Sequence, residues 1–365
     1  MSQDESGRRV GIVGTGRVAV DGHMPAILAA RGRVVALADI VEERAVRIAR
    51  EHEVPDAFGD HQELVACPEV DVVAVCTPPS SHAAIARAAL EAGKHVYVEK
   101  PPTMNEQEMA RVAAGARHAD RLMLVGSNGV YHNEIQALKR RIRAGDLGDI
   151  YYVECLRVSQ RRLPHGWKRE RRFGSGIVMD GFPHRLDQVL YLLDAPAVVS
   201  VTARTYDRFA GHPARSSYLH ADDLEGRLEE LPVAEVEDTA VAFVQFETGC
   251  TLLLKDAYAG NAPEEWRSVF YGTRAGARLY PSYGQPQKPS LTLYEEGSDG
   301  PLRESVVDVP PGPDNPFTQA WEHFFDCIGR GCQTESPPDR AVLVMRIIDA
   351  VHRSATEGGR QVVCR

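Results

Sequence analysis

A short strand-like run, Arg9–Val13, passes directly into Gly14, Thr15, Gly16, Arg17, Val18 and Ala19, and helical spacing begins at once. No other feature constrains the fold as strongly. The first glycine permits a tight turn, the second lets a pyrophosphate approach the backbone, and small Ala19 lets the helix pack closely on the strand. Free N–H groups at the helix start, together with its dipole, favour negative charge at the same point. Glycine-rich turns are common, so the surrounding pattern has to carry the assignment.

That pattern is an alternation of strands and helices. Residues 34–38 form a second apolar strand that ends in Asp39, where a carboxylate can accept hydrogen bonds from ribose hydroxyls. Capping a helix ahead of Glu42 and Glu43 is the structural alternative for Asp39. Ile40 and Val41 follow it, with no adjacent cation to neutralise a ribose 2'-phosphate, so NAD is expected rather than NADP. Further strands are expected at 70–75, 95–98 and 122–125, with helices at 82–92, closed by Gly93, and at 105–119. A doubly wound parallel α/β sheet follows.

In such sheets ligands bind beyond the carboxyl ends of the strands. Thr77, Pro78 and His82 follow one strand end; Glu99, Lys100, Pro101 and Pro102 follow another. The prolines stop the ladder there. Taken alone, Lys100 reads as a solvated turn residue and His82 as a helix-start residue.

From residue 150 onward strand-like runs at 150–158, 198–205, 239–246, 251–254 and 267–271 have few helices between them, which predicts an antiparallel sheet. One helix is expected over 180–193, with Leu186, Val189, Leu190 and Leu193 as its apolar face. Asp180, His184 and Asp187 then share a face, at spacings of four and three. Pro183 suits a first turn, which puts Asp180 at or near the N-cap and His184 one turn in. A capping aspartate and a core histidine would also explain these residues. Oxidation of a secondary alcohol needs a group that takes the hydroxyl proton as hydride leaves, and histidine titrates unperturbed at about 6.5. An aspartate in reach fixes its tautomer and stabilises the imidazolium, while Lys100 can polarise the same oxygen.

Composition bounds the rest. With 365 residues, two domains are expected, and 43% apolar and 25% charged residues describe an ordinary soluble protein. A formal charge of -9 argues against a nucleic-acid partner. Seven scattered cysteines read as reduced core thiols and so as a cytoplasmic setting; Cys327 and Cys332 lack a second pair to complete a zinc site, and no metal is expected. No apolar run is long enough to span a bilayer, and Arg8 and Arg9 precede a strand rather than an export signal's apolar stretch. Two charge runs point in opposite directions. Arg161, Arg162, Lys168, Arg169, Arg171 and Arg172 could hold a phosphate, whereas Asp222, Asp223, Glu225, Glu229, Glu230 and Glu235 could attract a cationic amino sugar.

Gly14 to Ala19, Glu99 to Pro101, and Asp180 with His184 four residues later resemble the Gfo/Idh/MocA oxidoreductases, and the resemblance extends through 237–240 to 349–358. It implies a Rossmann domain over residues 1–128 and an α/β domain with a large, mostly antiparallel open sheet over 129–365. It also implies NAD(P) and a sugar, nucleotide sugar, amino sugar or cyclitol substrate. Lys100 and His184 would be catalytic, with Asp180 supporting His184. The cofactor would meet Gly14, Gly16, Arg17, Val18, Asp39, Thr77, Pro78, His82, Glu99 and Asn128. A homodimer or homotetramer, packed through the open sheet, is implied as well. Two departures fall near the implied substrate pocket: Phe182 and Pro183 stand between Gly181 and His184, and Gly129, Val130 and Tyr131 follow Asn128 where an arginine is common. A glycosidase that uses NAD for transient oxidation, or a cofactor-binding regulator without catalysis, would share the fold.

Overall fold

The computed structural model describes residues 8–159, 164, 166–209, 234–280, 290–297, 300–310, 315 and 317–364. Contacts within the chain define two units, Met1–His132 with Gly312–Met345, and Asn133–Pro311 with Arg346–Arg365. This differs from a single cut at residue 128, and the segment 312–345 is the reason. Its hydrogen bonds go to the first unit: Val125 donates to the Ser336 carbonyl at 3.2 Å, and the Thr334 hydroxyl donates to the Met123 carbonyl at 3.3 Å. These bonds give backbone groups of an edge strand partners that they would otherwise lack.

The first unit holds a sheet of six parallel strands: β1 (Arg9–Val13), β2 (Arg33–Ala38), β3 (Asp56–Phe58), β4 (Val72–Val75), β5 (His95–Val98) and β6 (Met123–Val125). Their order is β3-β2-β1-β4-β5-β6. Between them run α1 (Met24–Ala29), α2 (Glu42–Glu51), α3 (His61–Ala66), α4 (Pro79–Glu91) and α5 (Glu106–Ala119). Every residue of β4 is buried, which accounts for its unbroken Val-Val-Ala-Val run. The strand order reverses between β1 and β4, the switch point where such sheets bind ligands.

Two helix starts explain themselves chemically. Asn105 caps α5 by accepting the Glu108 N–H at 2.9 Å. Helix α4 begins at Pro79, three residues before the start expected at His82, because proline is pre-organised for a first turn. His82 is thereby carried inside, at 1% exposure.

The second unit is built on a nine-stranded sheet: β7 (Ile150–Val158), β8 (Val198–Tyr206), β9 (Thr239–Phe246), β10 (Thr251–Ala257), β11 (Glu265–Gly272), β12 (Ala275–Leu279), β13 (Leu291–Glu296), β14 (Leu302–Val306) and β15 (Val362–Val363). Its order is β14-β13-β12-β11-β7-β10-β9-β8-β15, and every pair is antiparallel except β7 with β10. One face is buried, with Val153, Val244, Leu252, Leu254 and Phe270 each at most 1% exposed. Against β9 and β10 lie α7 (Ile177–Asp180) and α8 (Phe182–Leu192), with α6 (Asn133–Arg143) packed on α8. The chain closes with α9 (Thr318–Arg330) in the first unit and α10 (Pro338–Thr356), which runs across the division between the two.

Candidate active site

In the first unit the ends of β1, β2, β4, β5 and β6 carry the residues singled out from sequence. Gly14, after β1, has φ +92°, and a Cβ there would lie 2.7 Å from the Cys76 carbonyl oxygen, so only glycine fits. At Gly16 a Cβ would meet no atom of the chain within 4 Å. The turn is tight where it meets β4 and open where a pyrophosphate has to approach. Arg17 and Val18 are exposed, Ala19 is 1% exposed, and the chain continues through a wide turn over Val18–His23 before α1.

Asp39, after β2, is tied back to this turn. Its Oδ2 accepts the Thr15 N–H at 2.9 Å and the Thr15 hydroxyl at 2.8 Å, and its Oδ1 accepts the Val41 N–H at 3.0 Å. Arg44 lies 3.4 Å from the same Oδ1. Burial pushes the Asp39 carboxyl up, but the bonds from Val41 and Thr15 and the nearby guanidinium outweigh it, leaving it below the usual carboxylate value. Asp39 does not cap α2, whose N-cap is Val41.

After β4, the Thr77 hydroxyl accepts from Ser81 at 2.7 Å, and Pro78 is the N-cap of α4. The His82 ring lies between two backbone carbonyls, Thr77 O at 2.7 Å and Pro101 O at 2.8 Å. Burial drives it toward the neutral form against the pull of both carbonyls, so it donates to one of them at a time. His82 thus joins the loop after β4 to the loop after β5. Glu99 is buried and Lys100 half-buried, with the Lys100–Pro101 peptide cis. Asn128 accepts the Tyr97 hydroxyl at 2.6 Å.

In the second unit Asp180 does not cap the helix that bears His184. It ends α7, and Gly181, itself helical at φ -91° and ψ -49°, is the N-cap of α8. Pro183 takes the first turn, and the backbone stays helical through the junction. A Cβ on Gly181 would fall onto the Asp256 carboxylate and the Arg157 guanidinium, so the junction packs directly on a buried ion pair. His184 is half-buried and Asp187 is 4% exposed.

Tyr258, just after β10, donates its hydroxyl to Asp180 Oδ2 at 2.8 Å, and the Lys168 ammonium lies 3.6 Å from Asp180 Oδ1. Burial and the adjacent Asp180 push the Tyr258 phenol well up, so it remains a donor at neutral pH. Sequence reasoning did not single out Tyr258. Its available signal was Asp256, two residues earlier, a charge at the same parity as the buried Leu252 and Leu254.

The two charge runs resolve in part. Arg161, Arg162, Asp222, Asp223, Glu225, Glu229 and Glu230 lie outside the described residues. Of the others, Arg169 donates to the Pro164 carbonyl at 3.1 Å, Arg171 to the Glu235 carbonyl at 2.9 Å, and Arg172 to Glu170 at 2.7 Å. Among the described residues no group of three or more His, Cys, Asp or Glu side chains could hold a metal ion.

Comparison with known proteins covers both units. The family described as an oxidoreductase family with an NAD-binding Rossmann fold matches residues 8–127, and its C-terminal alpha/beta domain matches residues 139–364. The chain is 25% identical over 360 residues to the D-glucoside 3-dehydrogenase of Escherichia coli (strain K12), covering 96% of each chain. Identity is 26% over 266 residues to the myo-inositol 2-dehydrogenase of Thermotoga maritima, covering 73% of each. Among solved structures, levoglucosan dehydrogenase in complex with NADH shares the fold at a TM-score of 0.82 and 20% identity, over 98% of this chain and 99% of that one.

Proposed function

Because the chain belongs to the Gfo/Idh/MocA oxidoreductases and carries their NAD-binding Rossmann domain, we propose that it is a dehydrogenase acting on a secondary alcohol carbon of a sugar or cyclitol. The relatives named as glucoside and inositol dehydrogenases support that substrate class. Gly14, Gly16, Arg17 and Val18 would hold the pyrophosphate and Asp39 the adenosine ribose, with Thr77, Pro78, His82, Glu99 and Asn128 bordering the rest. NAD, when bound, supplies the hydride acceptor. The lowered Asp39 carboxyl stays ionised at neutral pH, which favours NAD over NADP by repelling a 2'-phosphate.

His184 takes the proton of the substrate hydroxyl, and returns it in the reverse direction. The Lys100 ammonium polarises the same oxygen as alkoxide character builds. Asp180 supports the imidazolium that forms on His184. The observation that carries this reading is the fixing of Asp180 by Tyr258 and Lys168, one helical turn before His184. Arg169, Arg171 and Arg172 already engage partners within the chain, which favours an uncharged polyol over a nucleotide sugar. The half-exposed sheet face of the second unit supports a homodimer or homotetramer.

Purified protein mixed with NAD and a panel of glucosides and inositols should generate reduced nicotinamide, read by absorbance, and the reverse reaction should consume it. No change with any substrate in either direction overturns the proposal. Free sugar released without net nicotinamide change would mark the glycosidase alternative instead. His184→Ala should lower kcat by about two to four orders of magnitude, and near wild-type turnover would remove His184 from the mechanism.

A further inference from the structure

Beneath the strand end that delivers Lys100 lies a buried chain of polar groups that the proposed reaction does not yet use. The Trp321 indole N–H lies 3.1 Å from His23 Nδ1, and His23 Nε2 lies 3.0 Å from Glu99 Oε1. An indole nitrogen can only donate, so His23 Nδ1 must accept and the ring proton sits on Nε2, where it is donated to Glu99. The other carboxylate oxygen, Oε2, accepts the Lys100 backbone N–H at 3.2 Å. Both oxygens of Glu99 are therefore committed, one to the relay and one to its neighbour in sequence.

The surroundings leave the relay little room. His23 and Trp321 are fully buried. Tyr97 stacks on Trp321 with ring centroids 4.5 Å apart and meets the His23 ring edge-on at 5.0 Å, and Phe317 lies 4.6 Å from the same ring. A Cβ on Gly126 would come within 2.9 Å of both Glu99 Oε1 and the Tyr97 ring, so the absence of a side chain there makes space for the carboxylate. Trp321 belongs to α9, in the segment 312–345 that returns to this unit.

We propose that Trp321 and His23 are positioning residues for the reaction: by fixing the His23 tautomer they hold Glu99, and Glu99 holds the backbone from which the Lys100 side chain departs. This rests on the reading that Lys100 acts on the substrate oxygen. Without the indole donor, Nδ1 can take the ring proton, and Nε2 would then turn a lone pair toward the carboxylate. Glu99 would be repelled where it is now held, and Lys100 would lose its fixed point of departure.

Trp321→Phe keeps the aromatic stack and removes the donor, His23→Leu removes both partners, and His23→Gln restores one donor and one acceptor. In Trp321→Phe and His23→Leu, kcat should fall about ten- to a hundredfold, while the affinity for ADP, the part of the cofactor assigned to the glycine turn and Asp39, read by calorimetric titration, stays within about threefold because those residues are untouched. His23→Gln should recover most of kcat. Nitrogen-15 spectra of the imidazoles should show His23 of the wild type with its proton on Nε2, and that signature should be lost in Trp321→Phe. A wild-type ring protonated on Nδ1 alone overturns the relay. So does a folded Trp321→Phe protein whose kcat is within about twofold of wild type. If no polyol is turned over, the Lys100 reading fails while the tautomer measurement still decides whether the relay exists.

Discussion

Asp39 does two jobs with one carboxylate. It closes the glycine turn through Thr15 and orders the start of the next loop through Val41. Removing it should therefore weaken cofactor binding first: Asp39→Ala is expected to cost about ten- to a hundredfold in NAD affinity, the worth of hydrogen bonds to a charged group. Titration against NAD and against substrate separates the roles, since equal losses on both would leave Asp39 only a turn-former. His95, at the start of β5, makes a pH-dependent prediction. Its Nδ1 accepts the Leu122 N–H at 3.1 Å, and burial, helped by Arg121, pushes the ring down to about 4. The folded state thus prefers a neutral ring. Its contribution to stability is complete above about pH 6.5, the unfolded value, and is lost as pH falls toward 4. His95→Gln should flatten the unfolding free energy over that window by about 1–2 kcal/mol, less than the full shift implies because the ring is partly solvated. An unchanged slope in urea titrations from pH 4 to 7 would refute this.

At the level of elements, α8 is held at its end by an unusual residue. Lys139 of α6 is 2% exposed, and its ammonium donates to the Tyr191 and Leu192 carbonyls at 2.6 and 3.2 Å and to Asp194 at 2.6 Å. A cation on the last carbonyls of a helix satisfies acceptors that have no partner within it and complements the dipole. Lys139→Met keeps much of the volume but leaves those acceptors buried, and should destabilise the protein by about 2–4 kcal/mol in chemical denaturation. A loss under about 0.5 kcal/mol would mean that water replaces the ammonium. Elements with a strong local signal were legible before the fold was known. Strands β1, β5, β7 and β9 begin and end where the apolar runs do. β3 was not, because a three-residue Asp-Ala-Phe strand has no periodicity to read. Asp180 and His184 stand out by spacing, yet the need for glycine at 181 was hidden, since the ion pair that a Cβ there would strike is brought from two strands. Tyr258 and Asp180 are 78 residues apart, and Trp321 and His23 are 298 apart. Contacts at such separations exist only once the chain has folded, so no local pattern announces them.

For the whole molecule, the proposed assembly into a homodimer or homotetramer can be tested on the less buried side of the nine-stranded sheet. Phe243, Leu253, Glu154 and Val269 are paired in register across β9, β10, β7 and β11, so they stand on one face, opposite the buried one. Phe243 is 43% exposed, and Leu253 and Val269 are only half-buried. Glu154 pairs with Arg267 at 3.1 Å, and Tyr152 packs on Tyr271 with centroids 5.2 Å apart, so the face mixes apolar area with internally matched charge. Matched charge of this kind lets a surface meet a second copy of itself without like-charge repulsion, as a two-fold interface requires. Burying about 800 Å² per partner is the scale of a stable interface, and a sheet face of this width can supply it. Phe243→Asp puts an unpaired carboxylate at the centre of that contact. Sedimentation should find the wild type as a dimer or tetramer at micromolar concentration and the variant shifted toward monomer, with its far-ultraviolet spectrum unchanged. A wild type that sediments as a monomer, or a variant that assembles as the wild type does, would mean that this face is not where copies meet.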